Sequence, residues 1–165
     1  MTLTIRPPAA ADRLSWYRLW NAYLEFHDNS LPDEISRITF DRLLDPDRPQ
    51  QCGLLALEDG QAVGLAHYIF HPHCRHVEDV CYLQDLFTDP AYRGQGVGRA
   101  LVKGVYEAAD RVGAPSVYWI TRDSNEIARA LFDRVGELTP FIKYRRSEFR
   151  MPGSPYSSPF GRPPD

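Results

Sequence analysis

Cysteine is scarce, long apolar runs are missing and basic charge is not in excess; each shortage removes a class of protein. The three cysteines, Cys52, Cys74 and Cys81, are odd in number and fit no disulfide framework, which points to reduced thiols and a cytoplasmic setting. No stretch reaches the roughly 18–20 apolar residues that a bilayer span needs. The opening Met1-Thr2-Leu3-Thr4-Ile5-Arg6 lacks the basic-then-apolar order of a signal peptide. With 19 Lys and Arg against 22 Asp and Glu the formal net charge is −3, so neither nucleic acid nor a membrane is an expected partner. What remains is ordinary: 165 residues, 43% hydrophobic and 25% charged, enough for one core. The expected organisation is one domain over residues 1–150. A flexible tail should follow over 151–165, where five prolines, three serines and two glycines leave little to bury.

Periodicity divides the chain into alternating elements. Thr2 to Arg6 alternates as a strand and Pro7-Pro8 ends it. From Ala9 to His27, Trp16, Leu19, Trp20, Tyr23, Phe26 and His27 recur at helical spacing and form an aromatic face, with Trp20 or Tyr23 placed to reach a pocket. Asp33 to Leu44 reads as a second helix. Gly53–Glu58 and Ala62–Phe70 read as a hairpin turned by Asp59-Gly60, and Val80–Thr88 as a third strand. Gly96 to Val112 carries Val97, Leu101, Val105, Ala108 and Val112 on one helical face. Ser116–Thr121 is an expected strand. Asp123 or Ser124 would cap a last helix with core positions Ile127, Leu131 and Val135, and Phe141–Phe149 would be the final strand. Helices against a mixed, mostly antiparallel sheet follow: an α/β (α+β) fold.

The chemistry is concentrated in Arg93-Gly94-Gln95-Gly96-Val97-Gly98-Arg99, between a strand and a helix. Glycines let backbone approach an anion closely, and the helix that starts there presents unpaired N–H groups and about half a positive charge. Arg93 and Arg99 can add charge-assisted contacts. A diphosphate is the natural guest. The turn is neither a P-loop, which needs lysine then serine or threonine, nor a dinucleotide fingerprint, whose last glycine would fall on Arg99.

Arg93-x-x-Gly96-x-Gly98 resembles the Arg/Gln-x-x-Gly-x-Gly/Ala motif of the GNAT superfamily of acetyl-CoA-dependent N-acetyltransferases. The segments Tyr82-Leu83-Gln84-Asp85-Leu86-Phe87 and Ala128-Arg129-Ala130-Leu131-Phe132 look like those of its diamine (spermidine/spermine) acetyltransferase branch. The resemblance implies a GNAT fold with splayed central strands and acetyl-CoA as co-substrate. It implies that backbone groups of Leu86, Phe87 and Thr88 pair with pantetheine. It also implies that the amides of Gly94, Gln95, Gly96, Val97, Gly98 and Arg99 hold the diphosphate, and that Asn125 bonds the pantetheine arm. A homodimer is implied in the same way.

The branch departs from its pattern at two catalytic positions. Its usual glutamate base is Gln84 here, and its usual tyrosine acid is Phe132. An alkylammonium of pKa about 10.4 costs about 4–5 kcal/mol to deprotonate at neutral pH, an α-amine of pKa about 8 only about 1–1.5. Three readings follow: a replacement base (Asp85, Glu78 or a histidine), a less basic amine, or a cofactor binder with weak catalysis. Asp85 can orient an amine or relay its proton, or be a strand-end acceptor only. Tyr144 is a substitute acid or a surface side chain. The acidic cluster Glu25, Asp28, Asp33 and Glu34 either selects cationic amines or is a solvated face. His67, His71, His73, Cys74 and His76 lack a standard zinc spacing, so no metal is expected. The expected activity is direct acetyl transfer from acetyl-CoA to a small primary amine, a polyamine or an amino-acid-like compound. The alternatives are a non-catalytic acetyl-CoA-binding regulatory module and a protein or peptide N-acetyltransferase.

Overall fold

The computed structural model of the protein describes residues 2–145. The expected tail over 151–165 and the end of the last expected strand lie outside the described residues. Strand β1 (Leu3–Arg6) leads through a short 3-10 turn to α1 (Arg13–Phe26) and α2 (Asp33–Leu44). Strands β2 (Gln51–Glu58), β3 (Gln61–His71) and β4 (Val80–Thr88) follow, then α3 (Val97–Arg111), β5 (Val117–Trp119) and α4 (Glu126–Val135). The sheet runs β1-β2-β3-β4-β5. Its first four strands are antiparallel neighbours, and β5 lies parallel to β4. A parallel pair needs a crossover, which α3 supplies.

Local chemistry explains most boundaries. Asp59 and Gly60 both have positive φ (46° and 85°), the two-residue turn whose twist suits a hairpin, and Glu58 faces Gln61. Asp12 binds the Arg6 guanidinium at 2.6 Å and accepts the Ala9 N–H, so the first helix begins after a 3-10 turn rather than at Ala9. The cap of α4 is Asn125, whose side chain accepts the Ala128 N–H, in place of the expected Asp123 or Ser124.

Two apolar layers sandwich the sheet. Val97, Leu101, Val105 and Ala108 of α3 lie on Leu54, Ala56, Ala66, Cys81 and Leu83. On the other face Trp16, Leu19, Trp20 and Leu24 of α1, with Phe40 of α2, cover Leu55, Leu57, Leu65 and Phe87. Val112 follows the end of α3 and is 57% exposed, outside the core expected for it. The core role expected along α4 is also corrected. Ile127 is 64% exposed and no residue of α4 is fully buried, because only its Leu131–Val135 end leans on the rest of the chain. Strand β5 is shorter than expected, and residues 141–145 are not a strand.

One irregularity matters for the site. His67 pairs with Asp85, but its neighbour Tyr68 pairs with Leu83, so Gln84 is an extra residue in β4. Side chains alternate along a strand, and one inserted residue turns everything beyond it over. Cys81 and Leu83 therefore face α3, whereas Phe87 faces α1 and Asp85 reaches Tyr23 of α1. In an unbroken strand all four odd-numbered positions would share one face.

Candidate active site

Strands β4 and β5 pair only at Cys81–Val117, Tyr82–Tyr118 and Leu83–Trp119. Beyond Leu83 the β4 edge has no strand beside it among the described residues, and the sheet forks. A cavity of about 870 Å³ opens there. Leu83 to Leu86 of β4, Trp119 to Arg122 at and beyond β5, Asn125 and Phe132 of the α4 region, and Tyr23 and His27 of α1 line it.

The glycine-rich turn follows the β4 arm of the fork. Gly94 and Gly96 have φ of 74° and 88°, conformations that an L side chain adopts at a cost, and a Cβ on either would meet nothing within 4 Å. Their surroundings are open. Gly98 serves another purpose: its Cβ would stand 3.0 Å from Leu131 Cδ2, so glycine lets α4 approach α3. The first N–H groups of α3, at Val97, Gly98 and Arg99, have no intrahelical acceptor and follow directly on this turn.

The other expected cofactor positions divide. Leu86 lines the cavity, while the Phe87 ring is buried under α1. The Thr88 carbonyl accepts Arg93 Nε at 3.3 Å, and the Arg93 guanidinium lies over the Phe26 and Phe87 rings at 5.1 and 5.9 Å. Arg93 thus ties the turn to α1, a use its position in the motif does not reveal. Gln95 donates to the Ala91 carbonyl, and Arg99 is exposed. Asn125 lines the cavity, with its carbonyl committed to the α4 cap and its NH₂ left as a donor.

Of the catalytic candidates, Gln84 is exposed at the bulge and Asp85 is 8% exposed, and both line the cavity. Tyr144 is 85% exposed and does not line it, although Lys143 and Arg145 on either side do. Asp85 sits at the end of a buried polar chain. Trp16 Nε1–H donates to His67 Nε2 at 2.9 Å, His67 Nδ1 meets Asp85 Oδ2 at 3.0 Å, and the Tyr23 hydroxyl donates to Asp85 Oδ1 at 2.7 Å. Burial, then the neighbouring Asp85 charge, pushes the Tyr23 phenol far above its usual range, so it stays protonated. Burial, then Arg122, holds the His27 imidazole below its usual value.

None of Glu25, Asp28, Asp33 and Glu34 lines the cavity, and all four are exposed, so the acidic cluster is a solvated face. The cations Arg122, Lys143 and Arg145 line it instead, unmarked in sequence because loop residues carry no period. His71 accepts or donates at Tyr118 Oη (2.8 Å) in a separate recess of about 290 Å³ shared with His73 and His76. Among the described residues no three His, Cys, Asp or Glu side chains converge as metal ligands. No helix among them is long and apolar enough to cross a membrane.

A forked mixed sheet, a left-handed glycine turn and a helix N-terminus at the fork define a class of transferase that holds a long diphosphate-bearing carrier. The particular family follows from comparison: residues 15–136 match the acetyltransferase (GNAT) family, and the chain belongs to it. A D-amino-acid N-acetyltransferase of Saccharomyces cerevisiae is 39% identical over 140 residues, covering 84% of this chain and 86% of that protein. A glucosamine 6-phosphate N-acetyltransferase of Trypanosoma brucei brucei is 31% identical over 78 residues, 47% of this chain and 51% of that protein. The solved structure of AAC(6')-Iy with a bisubstrate analogue has the same fold, with a TM-score of 0.79 at 20% identity, covering 90% of this chain and all of that one (100%). The protein is an N-acetyltransferase, and its co-substrate is acetyl-CoA. The open glycine turn and the unpaired β4 edge fit that group.

Proposed function

We propose that the protein acetylates the amine of a small amino acid or amino-acid-like compound, with D-amino acids the leading class. The observation that carries this reading is the charge arrangement of the cavity, whose lining among the described residues includes the carboxylate of Asp85 and the guanidinium of Arg122. An amino acid brings the matching pair, an ammonium and a carboxylate. A polyamine brings only cations and has nothing to pair with Arg122. The yeast relative, by its name, acts on D-amino acids, which supports the same class.

The roles we assign follow from placement. The amides of Gly94 to Arg99 hold the diphosphate, the β4 edge at Leu86–Thr88 receives the pantetheine amides, and the Asn125 NH₂ bonds the same arm. When bound, acetyl-CoA supplies an acetyl group already activated on sulfur. Asp85 binds the acceptor ammonium and takes its proton, the task that Gln84 cannot perform. A backbone N–H near Leu86–Phe87 faces the charge that develops on the carbonyl oxygen. Arg122 anchors the acceptor carboxylate.

Thiol release from acetyl-CoA, measured over D- and L-amino acids, their carboxamides and polyamines, tests the reading. Free amino acids should turn over at least about tenfold better than their carboxamides, a difference of about 1.4 kcal/mol. Arg122→Ala should raise KM for the acids and leave that for the carboxamides unchanged. Equal turnover of carboxamides or polyamines would overturn the assignment.

A further inference from the structure

We infer that Trp16 and His67 are positioning residues that leave the Asp85 charge uncompensated by denying His67 a second proton. The inference rests on the role given to Asp85 above, but it is built from hydrogen-bond stoichiometry alone. An indole N–H can only donate. Since Trp16 Nε1 is 2.9 Å from His67 Nε2, that nitrogen must present its lone pair. The imidazole proton then lies on Nδ1 and is donated to Asp85 Oδ2 at 3.0 Å.

An imidazolium would need a hydrogen on Nε2 as well, pointing at the indole hydrogen. The indole cannot turn to make room. Trp16 is 1% exposed, Trp20 stacks on it at 5.7 Å and Phe40 lies 5.1 Å away. His67 therefore stays neutral beside a carboxylate that would otherwise draw a proton onto it. The Tyr23 hydroxyl donates to the other carboxylate oxygen, so the whole cluster carries one negative charge. Were His67 cationic, that charge would be cancelled inside the protein and nothing would remain to attract an ammonium. Among the described residues, the titratable and charged groups around the cluster include Tyr17, Tyr23 and His27 on α1, Tyr82 and Asp85 on β4, and Arg122 after β5, with Lys143 and Arg145 lining the same cavity. The α2 side contributes the uncharged Phe40 and Ser36.

Nitrogen-15 NMR of the full-length protein labelled in histidine separates a bare ring nitrogen from a protonated one, and it needs no substrate. In the unaltered protein His67 should show Nδ1–H and a bare Nε2 from about pH 5.5 to 8. Trp16→Phe keeps the ring and removes the donor, so His67 should gain its second proton within that interval. Below the new titration kcat/KM for the amine should fall about 10–100-fold, the scale of one interaction with a charged group, and recover above it. His67→Asn, which keeps an N–H for Asp85 but cannot become a cation, should stay within about tenfold of the parent, whereas His67→Leu should lose about 10–100-fold. An Nε2–H tautomer or an imidazolium in the unaltered protein at pH 7 would overturn the inference. So would Trp16→Phe with a neutral His67 and an unchanged pH profile. Failure of amino acids as acceptors would refute the proposed substrate class and leave the tautomer result intact.

Discussion

Two glycines at opposite ends of α3 allow backbone strain to be separated from ligand binding. Gly96 precedes the helix with φ of 88°, Gly113 follows it with φ of 70°, and a Cβ on either would touch nothing within 4 Å. Alanine at either site must occupy the left-handed region, at about 1–2 kcal/mol. For a chain of this size each kcal/mol lowers the melting temperature by about 2–4 °C, so both Gly96→Ala and Gly113→Ala should melt about 2–8 °C lower. Only Gly96 lies beside the free amides at the start of α3, where its new methyl would enter the open space that we assign to the diphosphate. Calorimetric titration with acetyl-CoA should show at least a tenfold loss for Gly96→Ala, about 1.4 kcal/mol, and no change for Gly113→Ala. Wild-type affinity in Gly96→Ala, or an equal loss in Gly113→Ala, would refute the placement of the carrier at this turn.

Asp85→Asn keeps one oxygen for the His67 Nδ1–H, sets its NH₂ against the Tyr23 hydroxyl, which can turn to accept it, and removes a buried charge, so the melting temperature should change little. Acetylation followed by thiol release should fall about 10²–10⁴-fold, the usual worth of a lost general base. Because His27 is held below its ordinary pKa of 6.5, the folded state binds fewer protons there than the unfolded chain. Its contribution should therefore weaken as pH falls through 6.5 and level off below the folded value, and His27→Gln should flatten that part of a melting-temperature profile against pH. Gly136→Ala would bring a Cβ to 2.5 Å from Trp119 Cη2. The indole, which lines the cavity, must shift, and its fluorescence and the affinity for acetyl-CoA should both change.

The elements set by local chemistry were legible in the sequence. Asp59-Gly60 forms the hairpin turn, the α2 and β4 limits match the pattern, and Gly96 opens α3. What escaped depends on long-range pairing. Nothing near Gln84 announces an extra residue, since a bulge is defined by the partner strand. Asp85 could not be matched to Tyr23, 62 residues away, or to His67, 18 away. His67 falls inside the expected strand Ala62–Phe70, but a strand pattern does not say that its ring meets Trp16 on one side and Asp85 on the other. Helical spacing at Ile127 suggested a core position, but spacing does not say whether anything covers it. The cations at Arg122, Lys143 and Arg145 were invisible for the same reason: a cavity gathers them, a pattern does not.

The slip in register at Gln84 bends β4 where the sheet forks. Replacing Gln84 with another polar residue changes one solvent-facing group. Deleting it would join Leu83 directly to Asp85, which would still stand opposite His67 on the α1 side, and would remove the local bend that the extra residue puts into the strand.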